Sequence, residues 1–151
     1  MQLTSYTDYS LRLLMYLGTL PKCKLATLKE VSNTYGISIN HLRKVQATLS
    51  RKGLVETVPG RNGGIRLAVD PSSVSVGNLI RTIENLDVVE CFKDEGLCIL
   101  SPACTLKQLL HNAVEAGLKV LDRHTLADLI VNKAELAERL FDEKAVTTEM
   151  E

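Results

Sequence analysis

Tryptophan is absent from this chain of 151 residues, and aromatic side chains make up only 4% of it. Any core must therefore be built mainly from aliphatic residues. The 45% hydrophobic content and the length allow one domain, or one compact domain with an appended element, to bury such a core. Long apolar runs are missing as well. The most apolar early stretch, LRLLMYLGTL, is too short to span a bilayer and carries Arg12 near its start. The first residues show no basic start, apolar run and small-residue cleavage site, so the expectation is a cytoplasmic protein without a membrane partner. No Cys-x2-Cys pair occurs, which removes the usual signature of a zinc site. Repeats and low-complexity tracts are absent. His41, His111 and His124 are scattered, no nucleophile sits in a recognisable motif, and no phosphate-binding glycine loop follows a strand. Nothing in the sequence recommends an enzyme.

A net charge of zero conceals an asymmetry. Residues 1–70 hold ten Lys/Arg against four Asp/Glu, a net of +6, and residues 71–151 hold eight against fourteen, a net of −6. A basic half joined to an acidic half suggests a polyanion-binding module that carries something else.

In the basic half, residues 4–20 have the spacing of an amphipathic helix, with Leu11, Leu14 and Met15 on one side and Pro21 as the stop. TLKE, from Thr27 to Glu30, reads as a capping box that opens a second helix ending near Gly36. Ser38 can cap a third, INHLRKVQATLSRKG, closed by Gly53. Leu42, Val45 and Leu49 are its core positions. Two β-rich runs follow, LVETV and GIRLAV, separated by PGRNGG, whose glycines and Asn supply the positive φ angles of a hairpin. A helix-turn-helix followed by a hairpin makes a winged helix, with the third helix in the major groove. Candidate DNA contacts are Ser38, Asn40, His41, Arg43, Lys44 and Gln46 on that helix, and Arg61 and Asn62 at the hairpin tip. Asn, Gln and Arg can pair with base edges, while Lys mostly meets phosphate. His41 can equally be an ordinary solvent-facing residue. Arg51 and Lys52 are better read as complements to the helix dipole.

In the acidic half, Pro71 and PSSVS mark a boundary, and Ser75 caps a helix to about Asn85. An extended run, DVVEC, leads into a loop with the pattern Cys-x6-Cys-x5-Cys, formed by Cys91, Cys98 and Cys104 and ending at Pro102 and the helix beyond. In a reducing compartment such clustering suggests a metal or redox role rather than disulfides. Wide spacing on a loop can wrap an object such as an iron–sulfur cluster with three thiolates. Cys23 stands apart and reads as a bystander. A long helix from about Thr105 to His124 carries an apolar stripe including Leu106, Leu110, Val114, Gly117, Leu118 and Leu121. That stripe suits the seam of a two-fold dimer, with a core helix as the alternative. The expected architecture is mainly α. It comprises a winged helix-turn-helix domain (1–70), a connecting helix and cysteine loop (71–104), a dimerisation helix with a short helix after it (105–131), and a C-terminal helix and frayed tail (132–151).

Taken together, LTSYTDYSLRLLMYL, ISINHLRKV, GRNGGIRL and VECF with CILSPAC resemble the Rrf-type winged-helix regulators, and among them the nitric-oxide-sensing branch. The resemblance runs from residue 1 to about 131. It implies a homodimeric repressor of palindromic double-stranded operator DNA. A 4Fe-4S cluster, with 2Fe-2S as the lesser alternative, would sit on Cys91, Cys98 and Cys104. The fourth ligand would be Asp8 of the partner subunit. It further implies that nitric oxide is the signal and that nitrosylation displaces the carboxylate, a harder ligand than thiolate, and releases the DNA. The IscR-like branch places a histidine three positions after the last cysteine. Here that position is Lys107, whose ammonium has no free lone pair. His111 and Glu90 remain alternative ligands, and an acidic residue such as Asp8 is favoured near a helix start by the dipole alone. CymR-like members lack the cysteine triad. Competing readings are an IscR-like sensor of cluster supply or redox state and, more distantly, an iron–sulfur electron carrier, which has no need of a winged helix.

Overall fold

The computed structural model describes residues 3–93, 98–100 and 103–141. The expected loop end at Pro102 and the tail from 145 to 151 lie outside the described residues. Helix α1 (Ser5–Thr19) begins where Thr4 is extended and its hydroxyl accepts a hydrogen bond from the N–H of Thr7. Its buried side includes Leu13, Leu14, Tyr16 and Leu17. Helix α2 (Leu28–Tyr35) has the expected capping box, the Glu30 carboxylate accepting from the N–H of Thr27 at 2.6 Å, and stops at Gly36 with φ +65°. Helix α3 (Ile39–Arg51) starts with the Ser38 hydroxyl accepting from the N–H of Asn40. Its Leu42, Val45 and Leu49 are fully buried.

Strands β1 (Val55–Val58) and β2 (Gly64–Leu67) pair antiparallel, with Val55 opposite Leu67 and Val58 opposite Gly64. A contact without a local sequence signal joins them. Ala26, in the segment before α2, exchanges backbone hydrogen bonds of 3.0 and 2.8 Å with Ile65. The inner strand of the hairpin is thereby paired on both sides.

The acidic half is entered through a single 3-10 turn at Pro71–Ser73 and helix α4 (Val76–Ile83), capped by Ser75 and shorter than the expected run to Asn85. The expected extended run DVVEC ends in another 3-10 turn at Glu90–Phe92. Helix α5 (Thr105–Leu121) stops short of His124. The physical reason is a competing pairing: the His124 carbonyl accepts from the N–H of Val76, and the Val74 carbonyl from the N–H of Leu126, each at 2.9 Å. Helices α6 (Leu126–Leu129) and α7 (Lys133–Phe141) complete the described chain.

One core cluster joins α1, α2, α3 and the hairpin to Val74, Leu79 and Leu126 of the acidic half. A second holds Val76, Ile80, Val114 and Leu118 between α4 and α5. A Cβ at Gly18 would come within 2.7 Å of the Ile130 side chain, so α1 and the end of α6 meet closely there. Phe141 sets its edge against Tyr16, with ring centroids 5.1 Å apart, and docks α7 on α1. Among the described residues no helix is long and apolar enough to cross a membrane.

Candidate nucleic-acid interface and cysteine loop

Helix α3 presents Asn40, His41, Arg43 and Lys44 to solvent and contains no carboxylate. The Arg43 guanidinium donates to Asn40 Oδ1 at 3.4 Å, which holds the two candidate contacts side by side. Ser38 is exposed, but its hydroxyl is engaged as the helix cap. Gln46 is placed between α3 and the wing. It is half-buried, and its Nε2 donates to the Thr57 hydroxyl of β1 at 2.7 Å, so the amide ties α3 to the wing. His41 lies against Tyr9 of α1, with centroids 5.9 Å apart. The Tyr6 hydroxyl donates to the Lys44 carbonyl at 3.2 Å. Two rings of α1 therefore hold the first turns of the recognition helix.

At the wing tip the N–H of Gly63 donates to the Gly60 carbonyl at 3.0 Å, leaving Arg61 and Asn62 exposed between them. The positive φ falls on Gly60, at +110°, and not on Asn62 as expected. Gly63 is required for another reason: a Cβ there would collide with the backbone oxygen of Val58. Arg66 adds less free charge than its place in the basic half suggests, because its guanidinium bonds Glu56 at 2.6 Å.

Cys91 sits in the 3-10 turn, Cys98 in irregular chain, and Cys104 immediately before α5; all three are partly exposed thiols, while Cys23 is fully at the surface. Cys91 and Cys98 line a cavity of about 730 Å³ with Glu90. Cys104 lines another of about 860 Å³ with Lys107 and His111, and Asp87 borders both. The His111 ring lies edge-on to Phe92, 6.1 Å between centroids. Among the described residues no three Cys, His, Asp or Glu side chains converge closely enough to hold a metal ion.

The apolar stripe of α5 divides in two. Val114 and Leu118 are buried against α4 of the same chain, and Leu121 packs on that cluster. Val114 and Leu118 are core residues, because the chain's own α4 covers them, and Leu121 is half-buried at the edge of that cluster. Leu110 and Gly117 are half-buried at the border. Leu106, Leu109 and Val120 are 60%, 63% and 56% exposed, in line with exposed Ala113 and Ala116. This outer row has the alternating three- and four-residue spacing of a helix–helix seam.

Asp8, in the first turn of α1, accepts a hydrogen bond from Arg12 Nε at 3.0 Å, and Arg12 also lies over the Tyr35 ring. Burial pushes the Tyr35 hydroxyl up to about 12, so it stays protonated and donates to the Arg12 carbonyl. Sequence reasoning missed the group that holds the start of this helix. Glu84 Oε2 accepts from the N–H of Thr4 at 2.8 Å, the Thr4 hydroxyl at 3.0 Å and the Thr7 hydroxyl at 2.5 Å. Burial alone would raise the Glu84 carboxyl, but the hydrogen bonds from Thr7, Thr4 and the N–H of Asn85 outweigh it and leave the pKa below its ordinary value. Thr4 and Glu84 are separated by 80 positions, so no local pattern announces the contact.

A carboxylate-free helix laid beside a glycine-framed basic hairpin is the reading head of a winged-helix DNA-binding regulator. The chain belongs to the Rrf2 family, described as iron-dependent transcriptional regulators, with residues 3–132 matched. It is 54% identical over 138 residues to the HTH-type transcriptional regulator NsrR of Shouchella clausii, covering 90% of this chain and 93% of that protein. It is 46% identical over 142 residues to the NsrR of Bacillus subtilis, covering 93% and 97%. Among solved structures, Staphylococcus aureus CymR superposes with a TM-score of 0.68 at 27% identity, over 83% of this chain and 95% of that one. T. potens IscR gives 0.71 at 24% identity over 90% of each chain, a likeness of fold. The protein is a transcriptional regulator and not an enzyme.

Proposed function

We propose that the chain is a cytoplasmic, homodimeric repressor of palindromic operator DNA that senses nitric oxide through a 4Fe-4S cluster. The observation that carries this reading is that one helix, α1, bears Asp8 while its Tyr6 and Tyr9 hold the recognition helix, in a chain that also offers three partly exposed thiols on one loop. The similarity to proteins named NsrR supports the signal. The donor set fits the group: three soft thiols suit an iron–sulfur cluster, and the spacing leaves a fourth position to another residue. Cys91, Cys98 and Cys104 would hold it from one chain, and Asp8 of the partner subunit would complete it. When bound, the cluster supplies iron that reacts with nitric oxide.

The protein's own part is mechanical. An Asp8 engaged at the partner's loop leaves Arg12, and α1 is then tethered at its first turn. Through Tyr6 and Tyr9 that tether sets where α3 lies, and with it the separation of the two reading heads across the dimer. The row Leu106, Leu109, Ala113, Ala116 and Val120 supports the dimer, since small residues at its middle let two helices approach. Asn40, Arg43, Lys44, Arg61 and Asn62 would meet bases and phosphates, with His41 reading or bracing.

Anaerobic purification, iron and sulfide analysis, and titration with nitric oxide during operator binding test the reading. Three cysteine variants, Cys91→Ser, Cys98→Ser and Cys104→Ser, are expected to lose iron, and Cys23→Ser to keep it. Iron lost from the Cys23 variant alone would overturn the ligand assignment. An iron-loaded protein that holds its operator at excess nitric oxide would overturn the signal and leave an IscR-like sensor. An Asp8→Ala chain mixed with a triple-cysteine variant should regain the wild-type cluster absorption in heterodimers. Without recovery the fourth ligand lies in the same chain, and His111, lining the Cys104 cavity, is tested next.

A further inference from the structure

We infer that Glu84 is a positioning residue that couples the cysteine loop to the reading head by clasping the start of α1. The inference rests on the cluster-switch reading above and names the part of the chain that makes the switch work.

The clasp is built at the point where a helix most needs it. The first N–H groups of α1 have no partner within the helix, and that end carries the positive pole of its dipole. Glu84 brings a carboxylate there and engages both Thr4 and Thr7 with one oxygen. Thr7 is fully buried, so its hydroxyl has no water to turn to and depends on Glu84.

Position gives the clasp its meaning. Glu84 follows directly on α4, whose Ile80 packs with Val114 and Leu118 of α5, the helix that opens next to Cys104. Leu86, two residues further on, lines the cavity of Cys104 and packs on the same cluster. The two turns of α1 held by the clasp also carry Asp8 and the struts to α3, from Tyr6 to Lys44 and from Tyr9 to His41. Glu84 thus lies between the loop and the reading head. With the clasp in place, α1 moves with α4 and α5, and a change at the loop is felt at α3. Without it the first N–H groups of α1 keep only the Thr4 cap and nothing ties that turn to α4, and Asp8 can leave or enter its site while α3 stays where the core puts it.

The test uses the full chain, purified anaerobically, in iron-loaded and iron-free forms. Operator affinity of each form, iron per chain, and hydrogen exchange in the first turn of α1 are measured. Wild type should show an affinity ratio between the two forms in the usual range of allosteric couplings, about 5–150-fold. Glu84→Ala should keep its iron, exchange faster in that turn, and bring the ratio to within about twofold of unity. Thr7→Val, nearly isosteric and without the hydroxyl, should lower the ratio, and Thr7→Ser should restore it. The Thr7 pair decides the matter where Glu84→Ala does not fold. If Glu84→Ala and Thr7→Val weaken both forms equally and keep the wild-type ratio, Glu84 is only a structural cap and the inference is wrong. A wild-type ratio of unity would instead overturn the cluster-switch reading on which it rests.

Discussion

In the reading head, Leu13, Leu14, Val31, Leu42, Val45 and Leu49 are all 0% exposed, and each of α1, α2 and α3 opens on a side-chain cap. In the half that carries the cysteines, the second core cluster holds four buried residues, and α5 opens at Cys104 with no side-chain cap bond. Of the 17 residues of α5 only Val114 and Leu118 are buried. Elements with few buried apolar contacts open locally at lower free energy than a packed core. The contrast teaches a division of labour: the winged-helix half is built to keep its shape, and the half that carries the cysteines has little of its own to hold it.

The contrast can be broken most directly at Leu118, which is fully buried. Leu118→Ala should cost about 2–5 kcal/mol in urea unfolding. Hydrogen exchange should rise in α4 and α5 well before α3; equal loss of protection in α3 would mean that the two halves open as one. Thr27→Ala, which removes the capping box of α2, should cost about 1 kcal/mol and be felt in the reading head. Arg61→Ala should leave the free energy of unfolding within about 0.5 kcal/mol of wild type. It should weaken operator binding and lower the slope of log affinity against log salt by about 0.9. An unchanged slope would take the wing off the DNA. The smallest effect is expected at Glu56, where the ion pair with Arg66 is well exposed on both sides. Glu56→Gln should leave stability almost unchanged, because solvent screens an exposed ion pair. By releasing Arg66 it should tighten DNA binding at low salt only, which a salt series will show.

The parts legible in the sequence are those whose partners are near neighbours. TLKE became a capping box, Ser38 a cap, and Leu42, Val45 and Leu49 a buried face, because each depends on a turn or two of chain. What stayed hidden is paired at a distance. Gln46 looked like a base reader, and its bond to Thr57 requires knowing that the wing folds back across α3. The clasp of Glu84 and the bridge of Ala26 to Ile65 have the same character. The stripe of α5 is hidden for a different reason. Periodicity marks apolar positions without saying what covers them, so it cannot separate residues facing the chain's own α4 from residues facing outward. The clustering of the thiols suggests a metal or redox role from the sequence alone, but loop spacing carries no information about which side chain would complete a ligand set.

The wing turn has a consequence for how this protein could be given a new target. Gly60 is fixed by its φ of +110°, Gly63 by the oxygen of Val58, and Gly64 by the Ala26 oxygen, which a Cβ would approach to 2.6 Å. Arg61 and Asn62 between them are exposed and free of any such demand. The hairpin is a socket whose frame admits one residue type and whose tip admits almost any. Exchanging the two tip residues as a library, with the glycines untouched, therefore varies what the wing presents while leaving folding alone, and selection for operator binding would show whether the tip sets preference.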